Sequence, residues 1–173
     1  HLNNVLVGQN YDFYLYLQKE STIFAHMEDD LKFMRMALNE AESAYEEGEV
    51  PIGCVVVSRG RIISRGHNLT ETLRDVTAHA EMQAITAAAN SLGGKYLQGC
   101  TLYVTVEPCV MCAGAMGWAQ LSRLVYGARD EKRGYSQYAP HALHPRCEVT
   151  AGVMEDQCRE IIQRFFKEKR ANA

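Results

Sequence analysis

Apolar residues recur every three or four positions directly after Met27, as they do along one face of a helix. Acidic residues follow Met27 and would complement the positive end of such a helix, and the apolar pattern stops near Gly48. The pattern therefore predicts an amphipathic first helix between these two residues. Its apolar face comprises Leu31, Met34, Leu38, Ala41 and Tyr45.

The chain beyond Gly48 alternates between short apolar runs and helical patterns. Patterns typical of strands cover residues 52–57, 61–64, 101–106, 124–126 and 148–150, of which the first two form a hairpin. Helical patterns cover residues 78–90, 109–118 and 154–169, and a loop rich in Gly, Tyr, Pro and His covers 129–146. This order, α-β-β-α-β-α-β-β-α, predicts a mixed sheet with helices packed on its faces.

The length of 173 residues suits one full core and is short for two, so we expect a single domain over residues 27–173. Residues 1–26 lack helical periodicity and are interpreted as a non-native or mis-assigned extension. No run approaches the ~18 consecutive apolar residues of a membrane span, and no basic region precedes an apolar run at the start. We expect a soluble, cytoplasmic protein without a membrane partner.

Charge is distributed unevenly along the chain, whose formal net charge is −3. Residues 27–122 carry seven Lys and Arg against twelve Asp and Glu, whereas residues 123–173 carry ten against seven. The net charge changes from −5 to +3 between these two parts, so the C-terminal part remains compatible with a local anionic partner.

His79 and Glu81 form a His-x-Glu pair where the second helical pattern begins. The imidazole can ligate a metal ion while the carboxylate two positions on reaches a water molecule bound to that ion. Taken alone, such a pair is more often an ordinary helix start, in which the carboxylate complements the helix dipole.

Cys109 and Cys112 follow Pro108 at the start of the third helical pattern. Cysteines three positions apart share a helical face, and the helix N-terminus favours the thiolate, which is the form that binds zinc. The pair alone fits a structural zinc site or a redox pair equally well. A structural site usually has four protein ligands, often from two such pairs, and the other cysteines are expected to be small core residues. These are Cys54, Cys100, Cys147 and Cys158.

Together, His79, Cys109 and Cys112 leave tetrahedral zinc one open position, which is the arrangement of a catalytic site with one zinc ion per chain. The combination H-x-E and P-C-x-x-C is the signature of the zinc deaminases. Zinc lowers the pKa of bound water toward ~7, and the hydroxide formed can attack an electron-poor ring carbon bearing an amino group. Glu81 is predicted to carry protons from the water to the ring nitrogen and to help ammonia leave.

Residues 27–169 resemble the bacterial tRNA-specific adenosine deaminases. Beyond the zinc motifs, the matching stretches are residues 49–53, 66–68, 102–105, 127–130 and 165–166. The resemblance implies a cytidine-deaminase-like three-layer α/β/α sandwich with a central mixed five-stranded sheet, and a homodimer. It also implies attack at C6 of the wobble adenosine in the anticodon loop of an arginine tRNA with an ACG anticodon, giving inosine.

The resemblance assigns roles to further residues. Asn68 would hydrogen-bond the flipped base, although from the sequence alone it is more simply a turn residue after the second strand. Glu49, Val50, Pro51 and Ala80 would line the pocket. Residues that would contact RNA, if they are not merely solvated charges, are Asp130, Lys132 and Arg133, with phosphate contacts from Arg159, Arg164, Lys167, Lys169 and Arg170 on the last helix.

The chain departs from this family pattern at residues 134–146, where a shortened segment containing Tyr135 and Tyr138 replaces a Gly-Ser-Leu helical stretch. The two rings could stack on splayed-out anticodon bases. They could equally pack beneath the C-terminal helix, which is the interpretation we favour.

Two other functions remain open. A free-purine enzyme such as guanine deaminase shares the fold and zinc motifs, and residues 117–119 resemble those enzymes. A non-catalytic RNA-binding module that keeps zinc only for folding would have no use for Glu81 beside the water. Residues 49–53, residues 127–130 and the basic last helix favour the tRNA enzyme.

Overall fold

A computed structural model describes residues 26–172 of the chain, and its elements follow the predicted order except for one short helix at residues 135–138, inside the segment predicted as a loop. Residues 26–46 are helical and are called α1. The strands are β1 (Gly53–Ser58), β2 (Arg61–His67), β3 (Cys100–Val106), β4 (Arg123–Ala128) and β5 (Glu148–Ala151), and the other helices are α2 (Ala80–Leu92), α3 (Val110–Trp118), α4 (Tyr135–Tyr138) and α5 (Glu155–Ala171). Apart from His26, the interpretation of residues 1–26 lies outside the described residues. No helix in the described part is long and apolar enough to cross a membrane.

The described strands form one mixed sheet of five strands in the order β2-β1-β3-β4-β5, which confirms the predicted sheet. β1 pairs antiparallel with β2 and with β3, whereas β3, β4 and β5 pair in parallel. Four of the five strands therefore point the same way, and β2, β3 and β4 end at one edge of the sheet. The segments that follow these three strands meet at that edge.

Alternating side chains of the strands divide the core between two faces of the sheet. Val104 packs on one face with Ala84 of α2 and Met116 of α3. Val55 packs on the other face with Met34 of α1 and Cys158 of α5. Helices thus cover both faces, which confirms the three-layer α/β/α sandwich. The period-two alternation of the strands produces this division.

The six thiols of the chain are all free. Cys54, Cys100 and Cys158 are buried in the core, in agreement with the prediction. Cys147 is only half-buried. None of these four lies in the group of metal-binding side chains described below.

Asp30 fastens α1 to the sheet and is only 6% exposed. Its Oδ1 accepts hydrogen bonds from the Tyr103 hydroxyl at 2.9 Å and from Nη1 of Arg123 at 2.7 Å. Its Oδ2 accepts from Nη2 of the same guanidinium at 2.8 Å, which makes the pair bidentate. Because Arg123 also donates to Thr150 Oγ1 at 2.9 Å, one network joins α1 to β3, β4 and β5.

We expect Asp30→Asn to lower the free energy of unfolding by about 2–4 kcal/mol, because it leaves the largely buried Arg123 guanidinium without its counter-charge. Chemical denaturation measures the change. The matched control is Glu42→Gln, since Glu42 pairs with Arg164 at 2.9 Å where both side chains are about half exposed. That change should cost less than about 1 kcal/mol. Equal losses in the two variants would show that the Asp30 network does not hold α1 in place.

Candidate functional site

The N-termini of two helices meet at the edge where β2 and β3 end. His79 is the residue that caps α2, and Cys109 caps α3. The close approach of α2 to the sheet depends on Gly66 of β2, because a Cβ at that position would lie 2.4 Å from the carbonyl oxygen of Ala80. Any larger residue would push the start of α2, and with it His79, away from Cys109.

His79, Cys109 and Cys112 form the one group of three potential metal ligands among the described residues, with all donor atoms within 4.8 Å of one another. Nδ1 of His79 lies 3.6 Å from Sγ of Cys109 and 3.5 Å from Sγ of Cys112. Tetrahedral zinc, with Zn–S of about 2.3 Å and Zn–N of about 2.0 Å, holds sulfur and nitrogen roughly 3.5 Å apart. The spacing and chemistry of this donor set therefore fit zinc.

The electrostatics of the three side chains favour a thiolate at Cys109. A hydrogen bond from the Cys112 thiol, aided by one from His79, lowers the pKa of Cys109 to about 4. The hydrogen bond between His79 and Cys109 raises the pKa of His79. The hydrogen bond between Cys112 and Cys109, together with burial, raises the pKa of Cys112. Cys109 is thus favoured as a thiolate at the N-terminus of α3, where the helix dipole also favours negative charge.

Glu81 lies in the first turn of α2 and is only 3% exposed. Burial raises its pKa, and the negative charge of Cys109 adds to the effect. The carboxylate contacts the Cys112 thiol but is not one of the three clustered donors. A buried carboxyl group with a raised pKa beside a group of metal donors is suited to accept and release a proton.

Glu107 is a site residue to which the sequence reasoning assigned no role. It lies between β3 and Pro108 and is buried. Its Oε2 accepts from the backbone N–H of Asp130 at 3.2 Å, and its Oε1 accepts from that of Ser136 at 3.1 Å. The loop after β4 is thereby fastened to the segment that carries Cys109. The feature of the sequence that could have identified Glu107 is its position as an acidic residue between an apolar strand and the Pro108-Cys109 pair.

Glu49 and Asn68 form a second buried polar cluster at this edge. Oε2 of Glu49 accepts from Nδ2 of Asn68 at 3.1 Å and from the backbone N–H of Glu71 at 3.2 Å. Oε1 accepts from the backbone N–H of Thr72 at 2.7 Å. Nδ2 of Asn68 also donates to Thr70 Oγ1 at 3.1 Å. Glu49 therefore faces the loop that carries Asn68, and the amide nitrogen of Asn68 is already engaged.

The pKa of Glu49 reflects a balance between burial and hydrogen bonding. Burial acts to raise it, but the backbone N–H groups of Thr72 and Glu71 outweigh burial, so the pKa is lowered from 4.5. The carboxylate is accordingly held in its charged form by donors that belong to the loop.

Several of the predicted RNA-contacting residues lie around a groove of about 690 Å³ between α5 and the loop after β4. The groove is lined by Val50, Asp130, Lys132 and Arg133, together with Arg159 and Phe166 of α5. Arg170 and Lys132 line an adjoining cavity of about 600 Å³. Pro51 and Ala80 are buried, and Ala80 is the first residue of α2, directly after His79.

Arg164 and Asp130, two of the residues predicted to contact RNA, make contacts within the protein. Arg164 lies away from these cavities, since its guanidinium pairs with Glu42 and sits 4.5 Å above the centre of the Tyr45 ring. The Asp130 carboxylate accepts from the backbone N–H groups of Lys132 and Arg133 at 2.9 and 3.0 Å. The Asp130 carboxylate therefore holds the backbone of the loop and does not pair with the side chains of Lys132 and Arg133.

The two tyrosines of the altered loop have opposite environments. Tyr135 is buried in the core cluster beneath α2 and α3, so the interpretation that it packs beneath α5 is wrong. The chain turns there because the backbone N–H of Tyr135 donates to the Pro108 carbonyl at 2.9 Å. Tyr138 is 65% exposed, so it is not a core residue under any helix.

A three-layer α/β/α fold with a His-Cys-Cys donor group at two helix N-termini and a buried carboxyl group beside it defines a class of zinc-dependent deaminase. Residues 27–128 match the family model of the cytidine and deoxycytidylate deaminase zinc-binding region. The chain belongs to this family.

Relatives with assigned activities are similar over most of the chain. The tRNA-specific adenosine deaminase of Agrobacterium fabrum is 46% identical over 149 residues, which cover 83% of this chain and 98% of that protein. A structure from work on A-to-I editing by tRNA:A34 deaminases at the wobble position is 46% identical, has a TM-score of 0.71, and covers 75% of this chain and 98% of that one. A guanine deaminase from Nitrosomonas europaea is 26% identical, with a TM-score of 0.70 over 78% of this chain and 83% of that one.

We expect Glu49→Gln to lower the free energy of unfolding at pH 7 by about 2–3 kcal/mol, because a neutral amide replaces a buried charged acceptor. A carboxylate with a lowered pKa stabilises the fold above its unfolded pKa, and this stabilisation is lost as the pH falls through the folded pKa. The difference from the wild-type chain should therefore shrink when unfolding is measured below pH 4.5.

The control for this prediction is Glu46→Gln, since Glu46 is exposed near the end of α1. It should change stability by less than about 0.5 kcal/mol at either pH. A Glu49→Gln difference that is independent of pH would mean that the charge of Glu49 does not hold the 68–72 loop.

Proposed function

We propose that this chain hydrolyses the exocyclic amino group of adenosine in tRNA, leaving inosine, and that its substrate is the wobble adenosine of an arginine tRNA with an ACG anticodon. The observation that carries the proposal is the group of His79, Cys109 and Cys112 with Glu81 buried beside it. Its support from related proteins is the 46% identity with a tRNA-specific adenosine deaminase over most of both chains.

His79, Cys109 and Cys112 would hold one zinc ion in each chain. Zinc bound by three protein ligands keeps a fourth position for water and lowers the pKa of that water toward about 7. Among the described residues, no further Cys, His or carboxylate joins the group. This favours a catalytic role over a structural site closed by four ligands.

Glu81 would act as the proton carrier of the reaction. Because burial raises the pKa of its carboxyl group, Glu81 is a stronger base than an exposed carboxylate and would accept a proton from water and return it. It would deliver the proton to the ring nitrogen beside C6 and then assist the amino group to leave as ammonia. Water is consumed and one ammonia is released in each turnover.

Asn68 would hold the flipped base, with Ala80, Val50 and Pro51 lining the pocket. The amide nitrogen of Asn68 is fixed by Glu49, so its oxygen is the atom left to accept a hydrogen bond from a ligand. Glu49 would thus act behind Asn68 by setting the orientation of the amide.

Lys132, Arg133 and Arg170 would contact the anticodon loop, since they lie around the cavities beside α5. Arg164 is less suited to this role because its charge is already paired with Glu42. An enzyme that acts on tRNA would work in the cytoplasm.

We also propose that the protein is a homodimer that pairs through α3. One face of that helix exposes Val110 and Met111 at its start and Trp118, which is 87% exposed, at its end. Between them Gly114 leaves open space, so the face is flat as well as apolar. An exposed apolar stripe of this kind is typical of a surface that another protein covers.

Free guanine is the second candidate substrate, favoured by the structural likeness to the guanine deaminase of Nitrosomonas europaea. The test is to incubate the zinc-loaded protein with the arginine tRNA, free guanine and free adenosine, and to measure inosine in the tRNA and ammonia release. We expect inosine only in the tRNA, and none in a matched transcript with guanosine at the wobble position. Ammonia from guanine with the tRNA unchanged would assign the chain to purine salvage instead.

We expect Glu81→Gln to keep about one zinc ion per chain, measured by atomic absorption, and to lose roughly 10²- to 10⁴-fold in turnover, because the proton carrier is gone. Cys109→Ala should lose both the metal and part of the thermal stability. The control is Cys147→Ala, which lies outside the donor group and should keep zinc and activity. A Glu81→Gln enzyme with full zinc and wild-type turnover would contradict the assignment of Glu81.

A further inference from the structure

His67 is the last residue of β2 and directly precedes Asn68. Its cross-strand partner on β1 is Gly53. Cross-strand partners project from the same face of a sheet, so the His67 ring lies on the face where Gly53 has no side chain. A Cβ on Gly53 would collide with the carbonyl oxygen of Ala37, which places the backbone of α1 directly against this face. The ring of His67 therefore lies beside α1 where the helix contacts the sheet.

Both ring nitrogens of His67 face carboxylate oxygens that come from α1 and its end. Nδ1 lies 3.5 Å from Oε2 of Glu40, and Nε2 lies 3.4 Å from Oε1 of Glu47, the residue that follows the helix. A ring protonated on both nitrogens can donate to both carboxylates. Arg65 belongs to the same cluster, since its Nη1 lies 3.2 Å from Oε1 of Glu40. Two contacts from different positions on a planar ring fix its orientation as well as its distance from the helix.

This cluster lies next to the hydrogen bond that orients Asn68. Glu47 contacts His67, and a little further along the chain Glu49 accepts from Nδ2 of Asn68 at 3.1 Å. The backbone N–H of Glu49 donates to the carbonyl of Ala44 at 2.9 Å, so Glu49 is attached to the end of α1. Glu49 and Asn68 thus extend from two segments, one that follows α1 and one that follows β2. Their hydrogen bond requires these segments to stay at one distance, and His67 joins the segments one residue before Asn68.

We infer that His67 is a positioning residue of the deaminase site, which holds the end of β2 against α1 and so keeps Asn68 where Glu49 orients its amide. The inference rests on the proposed function, in which Asn68 holds the base that is deaminated. A small displacement of a bound reactant is enough to slow the chemical step. The RNA contacts proposed for Lys132 and Arg133 do not depend on His67, so its loss should lower kcat and leave KM nearly unchanged.

The test compares His67→Leu with the wild-type enzyme in the deamination of an anticodon-arm RNA hairpin. Leucine fills part of the same space but contacts neither carboxylate through a hydrogen bond. We expect kcat to fall by roughly 5- to 20-fold while KM changes by less than about twofold. Zinc content and the unfolding midpoint are measured on the same preparation. A variant that keeps its metal and its fold at the assay temperature assigns the loss to the placement of the base.

The matched control is Arg65→Gln, because Arg65 pairs with Glu40 from the same strand but is separated from Asn68 along the chain. It should leave kcat and KM within about twofold of the wild-type values. Glu47→Ala removes one contact of the His67 ring from a side chain that is 46% exposed, so it tests the inference even if His67→Leu loses its fold. It should lower kcat, whereas Glu47→Gln, which keeps an oxygen to accept from Nε2, should retain most of the wild-type kcat.

A double-mutant cycle shows whether His67 acts through Asn68. In the Asn68→Ala background, His67→Leu should change kcat by less than about twofold, because the amide that His67 positions is absent. Single-turnover rates with excess enzyme keep the slow variants measurable. An equal loss from His67→Leu in both backgrounds would mean that His67 acts independently of Asn68, and this result would overturn the inference.

The outcomes separate this inference from the proposed function. If the wild-type enzyme forms inosine in the hairpin but His67→Leu and Glu47→Ala have an unchanged kcat, His67 does not position Asn68 and the proposed function stands. If the wild-type enzyme deaminates guanine and leaves the RNA unchanged, the proposed function fails. The same cycle with guanine as the substrate then decides the inference, since coupling between His67 and Asn68 supports it and additive effects overturn it.

Discussion

The donor group depends on how closely α2 lies against β2. His79 and Cys109 belong to different helices, so their distance is set by the packing of each helix on the sheet. Gly66 permits the contact, because a side chain there would collide with the carbonyl oxygen of Ala80. The same approach brings Glu81 into a buried position beside Cys112, where its pKa is raised. The spacing of the donor atoms and the raised pKa of Glu81 thus both depend on the close contact between Gly66 and Ala80.

Buried carboxylates then fix the loops around this centre. Glu49 holds residues 68–72, and Glu107 holds residues 130–136, in each case through backbone N–H groups. Burying a charged carboxylate is costly unless hydrogen bonds replace its water. Because the donors belong to the loops, each loop has one favoured position, and Asn68 and Tyr138 are carried into place with it.

Local patterns predicted much of this structure but not its long-range contacts. The spacing of apolar residues gave the helices and strands, and the motif at Cys109 and Cys112 indicated the metal ligands. The partners of Glu49 and Glu107 lie 19 or more residues away along the chain, so no local pattern reveals them. The prediction for Tyr135 is wrong about the helix that covers it. The sequence of a loop can indicate that an aromatic side chain is buried, but it does not show on which face of the sheet that side chain packs.

The fold by itself does not select the substrate, since the guanine deaminase of Nitrosomonas europaea shares it. Zinc and a proton carrier can act on any ring that presents an amino-bearing carbon, so selection must arise where the ring and its surroundings are held. On one side the proposed function assigns this role to Asn68, whose amide is oriented by Glu49. On the other side the proposed function assigns RNA contact to Lys132, in the loop that is bound to Glu107 and hence to the segment carrying Cys109. A loop coupled in this way can change its sequence while the donor atoms of the site stay in position.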